Sequence, residues 1–353
     1  MADVEKFMSV EAGDIEKIMG VETGDIEAVM GVDMPASGGD WFGTRHFLNG
    51  HSADTTRISY KSSTSNGDVS DFGNLIYLRE MLRGTGTGSG KARGIAGSDS
   101  DGVTGYIKAI DYYATTSTTN SSDFGDSDVQ SADGAGMSNG TLMFFGGGSL
   151  NGDPYIHNAL EYITIASAGD GTNAGDLLDA VYGNGSVSGN TRAASLGGIT
   201  RDYSDDYANY AYATVDYIAF HTSNNAADFG DLSVGTYYGA GCASTTRWVF
   251  KGGHRYTGAS GHVHHIHMDY YAADTLGNAG DFGDIAGRTQ KSSAMADGTR
   301  GEWWGGHETT GDNGSTVDSI AYITIASAGD GTDAGNLHAA GNIVSGGLSG
   351  AAS

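Results

Sequence analysis

The sequence predicts an all-β fold, a six-bladed β-propeller, with a short helical repeat segment at the amino terminus. Three observations predict the propeller: an Asp-Phe-Gly triplet recurs, apolar runs end in glycine pairs, and other stretches alternate apolar with polar residues. The triplet starts at Asp71, Asp123, Asp228 and Asp281, and reduced copies start at Asn173 and Asp333. These starts lie 50 to 55 residues apart, a spacing typical of propeller blades.

The first 36 residues repeat with a shorter period of 11 residues and form the predicted anchoring segment. Aspartate is a good helix N-cap and glycine a good C′ residue, so we predict one or two helical turns in each unit. Turns this short do not persist alone, and their apolar side chains exceed what the units can bury. We expect these side chains to contact a partner: Ile15, Ile18, Met19, Ile26, Val29 and Met30. The alternative is a helical cap packed on the propeller.

Residues 37–353 form the predicted six-repeat propeller, and two kinds of strand can be recognised in them. One is an apolar run closed by glycines, as in 247–253, and the other alternates with period two, as in 215–218. A third strand is expected after each triplet and a fourth before each Thr-Arg pair. We expect 336–353 to supply a strand beside 41–49, because that pairing would close the ring without an open sheet edge.

The triplet itself has two interpretations. In protein kinases Asp-Phe-Gly binds magnesium, but it occurs once and together with other motifs. No Val-Ala-Ile-Lys strand, His-Arg-Asp loop or Walker loop occurs in this sequence. We therefore predict that Phe229 packs between blades, that Gly230 allows a turn with positive φ, and that Asp228 accepts hydrogen bonds from turn amides.

The composition limits the classes of partner. The formal net charge is -25, from 43 acidic and 18 basic residues, so we expect neither nucleic-acid binding nor association with anionic membranes. Cys242 is the only cysteine, which excludes an intrachain disulfide and a cysteine-rich zinc site. The start lacks an apolar signal-peptide region, and no apolar run is long enough to span a membrane, so we expect no membrane insertion.

Two groups of residues are candidates for a site. The metal candidates are His262, His264, His265 and His267, because histidines at alternate strand positions share a face and imidazole binds zinc, nickel or copper. An exposed histidine-rich loop would explain the same pattern. The sequence offers six aromatic residues that could provide sugar-stacking surfaces in loops or pack between blades: Tyr237, Tyr238, Tyr256, Trp303, Trp304 and Trp41. Trp303 aligns with Phe250 and is predicted to lie in the core. Trp304 aligns with Lys251 and is the candidate for an exposed binding side chain.

The glycine pair after an apolar strand, with a period near fifty, resembles the kelch β-propeller family over residues 41–353. A closer resemblance is to propeller-like virion proteins of tailed phages that infect marine bacteria, and it lies in 215–218, 228–232, 240–244 and 246–253. This resemblance implies a fibre, appendage or capsid decoration, made in the host cytoplasm and built into the virion. It implies other virion proteins as partners, a homo-oligomer or symmetric array on the particle, and contact with host surface glycans.

Most aspartates lie at repeat-equivalent positions, whereas a single active site would need an asymmetric pair. We therefore expect a non-enzymatic protein without a cofactor. The alternative is a carbohydrate-active or metal-dependent propeller enzyme.

Overall fold

A computed structural model describes most of the propeller and a few amino-terminal residues. The described ranges are 17–18, 21–22, 28–29, 32–33, 43–50, 56–77, 85–88, 93–97, 99–100, 105–152, 155–189, 191–202, 208–220, 225–256, 262–285, 289–308, 315–338 and 347–350. The chain divides into two compact units, Met1–Asp40 and Trp41–Ser353. In the described part of the chain, no helix is long and apolar enough to cross a membrane.

The second unit is an all-β six-bladed propeller, as the sequence predicts, and each blade is a four-stranded antiparallel sheet. From the inner to the outer strand, blade 1 contains Gly347–Gly350, Arg45–Asn49, Arg57–Ser62 and Ser70–Asn74. Blade 2 contains Thr85–Gly88, Arg93–Ala96, Ala109–Ala114 and Ser122–Asp126, and blade 3 contains Ala135–Ser138, Leu142–Ser149, Ile156–Thr164 and Thr172–Asp176.

Blades 4 to 6 have the same strand order. Blade 4 contains Gly185–Ser188, Arg192–Leu196, Thr214–Ala219 and Ala227–Asp231, and blade 5 contains Ala240–Ala243, Arg247–Lys251, His267–Ala272 and Gly280–Asp284. Blade 6 contains Ser293–Ala296, Arg300–Glu308, Ser315–Thr324 and Thr332–Asn336, with Thr289–Gln290 as an added short strand. Small hairpins extend blades 2, 4 and 5: Asp99–Ser100 with Tyr106–Ile107, Ile199–Asp202 with Ala208–Ala211, and His254–Tyr256 with His262–His264.

The ring closes through a strand from the carboxy-terminal region, which confirms the predicted pairing. Gly347–Gly350 pairs antiparallel with Arg45–Asn49, so blade 1 is built from both ends of the propeller sequence. Each inner strand contacts the inner strands of the two neighbouring blades, and the six inner strands surround the axis. The closing strand covers the edge of Arg45–Asn49 that would otherwise be unpaired.

The Asp-Phe-Gly triplet lies in the outer strand and not in a turn, so the predicted strand after the triplet is wrong. Val215 pairs with Gly230 and Asp216 pairs with Asp228, which makes Phe229 the extra residue of a β-bulge. Gly230 has a φ of 146°, and a Cβ there would lie 2.3 Å from a carbonyl oxygen of the next blade. The bulge therefore requires glycine where two blades meet.

The predicted packing role of Phe229 is confirmed. Its buried ring lies 5.0 Å from the ring of Trp248 and 5.7 Å from that of Tyr271, both in blade 5. Asp228 is exposed, and the amide-accepting role predicted for the triplet aspartate is seen at its equivalent Asp333, whose Oδ1 accepts a hydrogen bond from the Gly335 amide at 2.9 Å.

The backbone around the bulge is bonded by an inter-blade clasp, which we define by its residues between blades 4 and 5. The amides of Gly277 and Ala279 donate to the carbonyls of Phe229 and Asp231 at 2.8 Å, and the Asp231 amide donates to Asn278 Oδ1 at 3.1 Å. Equivalent side-chain oxygens occur at all six seams: Asp68, Asn120, Asp170, Asn225, Asn278 and Asp330. The clasp satisfies backbone groups that the bulge would otherwise leave unpaired.

Other charged residues also link neighbouring blades at equivalent positions. Asp269 in blade 5 is buried and accepts a hydrogen bond from the Ser233 amide at 2.9 Å. The Arg247 guanidinium lies 4.9 Å from the centroid of the Tyr270 ring and donates to the Ile325 carbonyl of blade 6 at 3.1 Å. The same arginine and tyrosine stacking recurs at Arg45, Arg93, Arg192 and Arg300. Much of the charge in these blades therefore serves packing between repeats.

The seam between blades 6 and 1 contains a buried ion cluster. Glu302 accepts hydrogen bonds from Lys61 Nζ at 2.7 Å and from His46 Nδ1, Arg300 Nε and Trp304 Nε1 at 2.9 Å each. Burial would raise the pKa of Glu302, but its bonds to His46 and Lys61 lower that pKa to about 2. The carboxylate is therefore ionised at neutral pH and balanced by its donors.

The amino-terminal unit does not support the predicted helical turns. Its described residues form two antiparallel strand pairs, Lys17–Ile18 with Val21–Glu22 and Ala28–Val29 with Val32–Asp33. Short hairpin pairing thus recurs with the period of 11 residues. The remaining residues of the predicted helical repeats lie outside the described ranges.

Candidate functional site

One face of the propeller carries the links from each outer strand to the next inner strand, together with the hairpins between second and third strands. We call it the linker face. Equivalent residues of four consecutive links lie just before the inner strands of blades 3 to 6: Asp133, Gly183, Tyr238 and Lys291. We call these four residues the axial rim.

The backbone of the axial rim is a hydrogen-bonded chain that runs from blade to blade. The Gly183 amide donates to the Asp133 carbonyl at 2.7 Å, the Tyr238 amide to the Gly183 carbonyl, and the Lys291 amide to the Tyr238 carbonyl at 3.0 Å. All four residues have positive φ, 63° at Gly183 and 56° at the other three. The links are thus held in one shared left-handed geometry.

This geometry is unfavourable for Tyr238 and Lys291, whereas aspartate, like asparagine, tolerates it. A left-handed conformation costs an ordinary side chain roughly 1–2 kcal/mol, whereas glycine adopts it freely. Gly183 satisfies the backbone requirement in blade 4, yet Tyr238 and Lys291 occupy the same position in blades 5 and 6. Strain of this kind clusters at functional sites, because the side chain is retained for a reason other than local stability.

The side chains of the rim form an aromatic group. The Tyr238 ring lies 5.1 Å from that of Tyr237 and 6.3 Å from that of Tyr182, and Lys291 Nζ lies 4.4 Å from its centroid. A Cβ on Gly183 would lie 3.0 Å from the Tyr238 ring, so glycine in blade 4 leaves room for the tyrosine of blade 5. Tyr182, Tyr238 and Lys291 are partly exposed on this face.

The floor of the site is polar and buried. Tyr237 Oη lies 3.0 Å from His254 Nδ1, and both side chains are buried. Burial first, and then the charge of Asp133, raises the pKa of Tyr238 well above its ordinary value. The phenol therefore stays protonated and can donate a hydrogen bond at neutral pH.

A second lysine lies beneath the link of blade 6. Lys251 is buried, and its Nζ donates to the Thr289 carbonyl at 2.6 Å, to the Thr289 hydroxyl and to Ser292 Oγ at 3.2 Å. All of these acceptors are neutral. Burial lowers the pKa of Lys251 to about 7. A buried ammonium without a carboxylate partner destabilises the folded state unless it loses its proton.

Trp304 is not the exposed binding residue that the sequence analysis predicted. Its side chain is fully buried, as is that of Lys251 at the same position of blade 5. Both faces of a second strand are covered by neighbouring blades, so alternation along the strand does not place Trp304 in solvent. Trp303 is also buried, which confirms its predicted core position.

The histidine cluster is only partly described. His262–His264 form a hairpin strand that pairs with His254–Tyr256. His265 and His267 line a cleft of about 10 Å³ between blades 4 and 5, which suits a single water molecule. His267 Nδ1 lies 3.3 Å from Asp284 Oδ1. Among the side chains that the structure describes, no three histidine, cysteine, aspartate or glutamate groups converge on a metal position.

The predicted contact residues of the amino-terminal segment are not tested by the structure. Ile18 and Val29 lie in the two short strand pairs. Ile15, Met19, Ile26 and Met30 lie outside the described ranges. Their proposed contacts therefore depend on the sequence pattern alone.

Sequence reasoning missed Asp133, Lys251 and Lys291. An alignment of the repeats could have found them, because each of these residues differs in type from the residues at the same position of other blades, although the sequence around it is repeated. A structural role that recurs in every blade favours the same residue type in every blade, so such a difference indicates another role.

Chemically, the rim offers aromatic surface with phenol, ammonium and carboxylate groups close to one another, a set suited to a hydroxyl-rich ligand. The sequence matches no protein-family model and no curated protein.

Proposed function

We propose that the protein is a non-enzymatic structural component of a tailed-phage virion. Its amino-terminal segment attaches to the particle, and its propeller is displayed as a fibre, appendage or capsid decoration that contacts host surface glycans. The observation that carries the proposal is the division of the chain into a small repeat unit and a propeller that closes on itself. An attachment segment and a displayed module need this kind of independence.

The seams of the propeller support a displayed role. Clasp hydrogen bonds recur at all six seams, and buried carboxylates and stacked arginines add links between blades. These contacts do not depend on a disulfide, since Cys242 is the only cysteine and is buried. A ring held in this way suits a module that must keep its shape outside a cell.

The attachment proposal concerns the apolar positions of the 11-residue repeats. Water disfavours exposed apolar surface by about 25 cal/mol per Å². We propose that Ile15, Ile18, Met19, Ile26, Val29 and Met30 are buried against another virion protein or against symmetry-related copies of this chain. The acidic chain, with a net charge of -25, favours such protein contacts over nucleic acid or anionic membrane.

The test is particle occupancy of a variant with Ile15, Ile18, Ile26 and Val29 changed to serine. We expect the propeller to remain folded, because its strands close on themselves, and the variant to be lost from purified particles. Occupancy is measured by quantitative mass spectrometry, and folding by thermal unfolding of the purified chain.

The matched control changes four polar residues of the same repeats to serine: Asp14, Glu16, Asp25 and Glu27. We expect this control to be incorporated normally. Undiminished occupancy of the apolar variant would reject the anchoring role and favour a cap on the propeller.

A further inference from the structure

The axial rim differs from the inter-blade clasps in one respect. At the clasps the backbone geometry and the residue type are both repeated, since each seam uses an aspartate or asparagine oxygen. At the rim the left-handed geometry is repeated, whereas the side chains are those of aspartate, glycine, tyrosine and lysine. The structural requirement alone would favour glycine in all four blades. The departures at Tyr238 and Lys291 therefore point to a ligand.

We infer that the axial rim and Tyr182 form a binding site for a neutral saccharide unit. Tyrosine rings present a flat apolar surface that packs against the C–H face of a sugar ring, and their hydroxyls donate hydrogen bonds. Tyr182 and Tyr238 are both partly exposed at the rim. Lys291 supplies a donor for sugar hydroxyls, and the carboxylate of the buried Asp133 lies close to the Tyr238 phenol.

The charges of the molecule favour a neutral ligand over an acidic one. The ammonium of Lys291 lies over the Tyr238 ring, and Asp133 is close enough to raise the pKa of the Tyr238 phenol. The rim thus contains charges of both signs, in a chain with a net charge of -25. A carboxylated or sulfated polymer would be repelled by that surface, whereas a neutral polymer would not.

The backbone of the rim also favours binding. The hydrogen bonds from link to link hold Gly183, Tyr238 and Lys291 in fixed relative positions before any ligand arrives. Preorganisation of this kind reduces the entropy lost when a ligand binds. The strain at Tyr238 is then explained by the position that its ring must occupy, above Gly183 and beside Tyr182.

The biological meaning of the site rests on the display role proposed above. Saccharide binding at the rim can nevertheless be measured on the purified chain, without any particle. The full-length chain is applied to surfaces coated with neutral polysaccharides, dextran, mannan and galactan, and to surfaces coated with the acidic polymers alginate and carrageenan. We expect retention on at least one neutral polymer. Retention on acidic polymers alone, or on none of the five, would overturn the inference.

The decisive variant is Tyr238→Gly, which places in blade 5 the residue that blade 4 has at this position. Glycine adopts the left-handed geometry, so the variant should fold, and Tyr238→Asn is a second variant because asparagine tolerates the same geometry. We expect retention to weaken at least about tenfold in both. Equal binding by the variants and the unaltered chain would overturn the inference.

Tyr77→Ala is the matched control, because Tyr77 is an exposed tyrosine in the link after blade 1 and does not belong to the rim. We expect its binding to be unchanged, and a loss equal to that of Tyr238→Gly would overturn the assignment to the rim. Particle occupancy of Tyr238→Gly separates the two proposals, since a rim defect should leave incorporation intact and an attachment defect should leave saccharide binding intact.

Discussion

The seam between blades 4 and 5 and the seam between blades 6 and 1 fill the same space with opposite chemistry. In the first seam the side chains of Phe229, Trp248 and Tyr271 pack as an aromatic group. In the second seam the space contains buried charged groups around Glu302. Both seams are joined by the same clasp, through Asn278 in one and its equivalent in the other.

The equivalence holds residue by residue. His46 pairs with Lys61 across the two central strands of blade 1, as Trp248 pairs with Tyr271 in blade 5. Ala334 takes the bulge position of the phenylalanine, which leaves room beside the charged side chains. The comparison teaches that the clasps set the spacing of the blades. Different sets of side chains can fill the space between two blades, provided that their volume fits that space and their charges are balanced.

Removing the central aromatic ring should have the largest effect. Phe229→Ala empties a fully packed pocket, and we expect it to lower the free energy of unfolding by about 3 to 5 kcal/mol. Urea unfolding of the purified chain measures the change. Asp228→Ala is the control, because this neighbour is exposed and should change stability little.

Blade 4 suggests a compensating change for the same pocket. At the seam between blades 3 and 4, Ala174 of blade 3 stands at the phenylalanine position, and Phe220 of blade 4 occupies the position of Ala273 in blade 5. We expect Ala273→Phe to restore part of the stability lost in Phe229→Ala. A double variant no more stable than Phe229→Ala alone would show that the two seams are not interchangeable.

Breaking the charge balance of the other seam should have the second largest effect. Glu302→Gln leaves the buried Lys61 and the partly exposed Arg300 without their carboxylate, and we expect a loss of about 3 kcal/mol near pH 7. The folded-state pKa of Glu302 is lowered to about 2, below the ordinary carboxyl pKa. The Glu302 carboxylate therefore stabilises the folded state fully at pH values above the ordinary carboxyl pKa, and this stabilisation is lost as the pH falls towards about 2. The difference between the unaltered chain and Glu302→Gln should therefore narrow in urea unfolding near pH 3. A difference that stays constant down to that pH would contradict the balanced-charge interpretation.

The smallest effect is expected at Lys251, whose buried ammonium donates to neutral acceptors among the residues that the structure describes. Lys251→Met should raise the free energy of unfolding by roughly 1–2 kcal/mol near pH 7, because an apolar side chain removes the cost of burying the amine. The lowered folded-state pKa of about 7 means that the stability of the unaltered chain rises from near neutral pH towards pH 10. The variant should lack this rise. Lys108→Met, at an exposed lysine, is the control, and a similar gain there would refute the proposed cause.

The propeller could be predicted from the sequence because its signals are local and repeated. Alternation and the recurring triplet indicated the blades, and the need to avoid an open edge indicated the closing strand. Trp304 shows the limit of this prediction from sequence. Alternation distinguishes the two faces of a strand, but it does not show whether neighbouring blades cover both faces, as they do at Trp304. The ion cluster around Glu302 joins residues far apart in the chain, and no local pattern marks such a contact.

The candidate site was harder to predict for a similar reason. Its rim depends on φ angles and on hydrogen bonds between links, and neither can be read from residue types alone. Tyr238 was visible as an aromatic residue, but its strained backbone was not. Asp133 and Lys291 belong to the same site only because the ring places successive links side by side.

The closing strand has a consequence for the order in which the molecule can be made. Arg45–Asn49 leaves the ribosome early, whereas its partner Gly347–Gly350 is synthesised about 300 residues later. Until then blade 1 has only three strands and presents a bare edge, which is the kind of surface through which nascent chains associate wrongly. Pairing at such a distance along the chain is slow, because the loop must close before any contact compensates for its entropy. Pairing of the last-made strand is therefore the step that closes the ring, and synthesis of many copies at once would raise the concentration of incomplete rings that can exchange strands with one another.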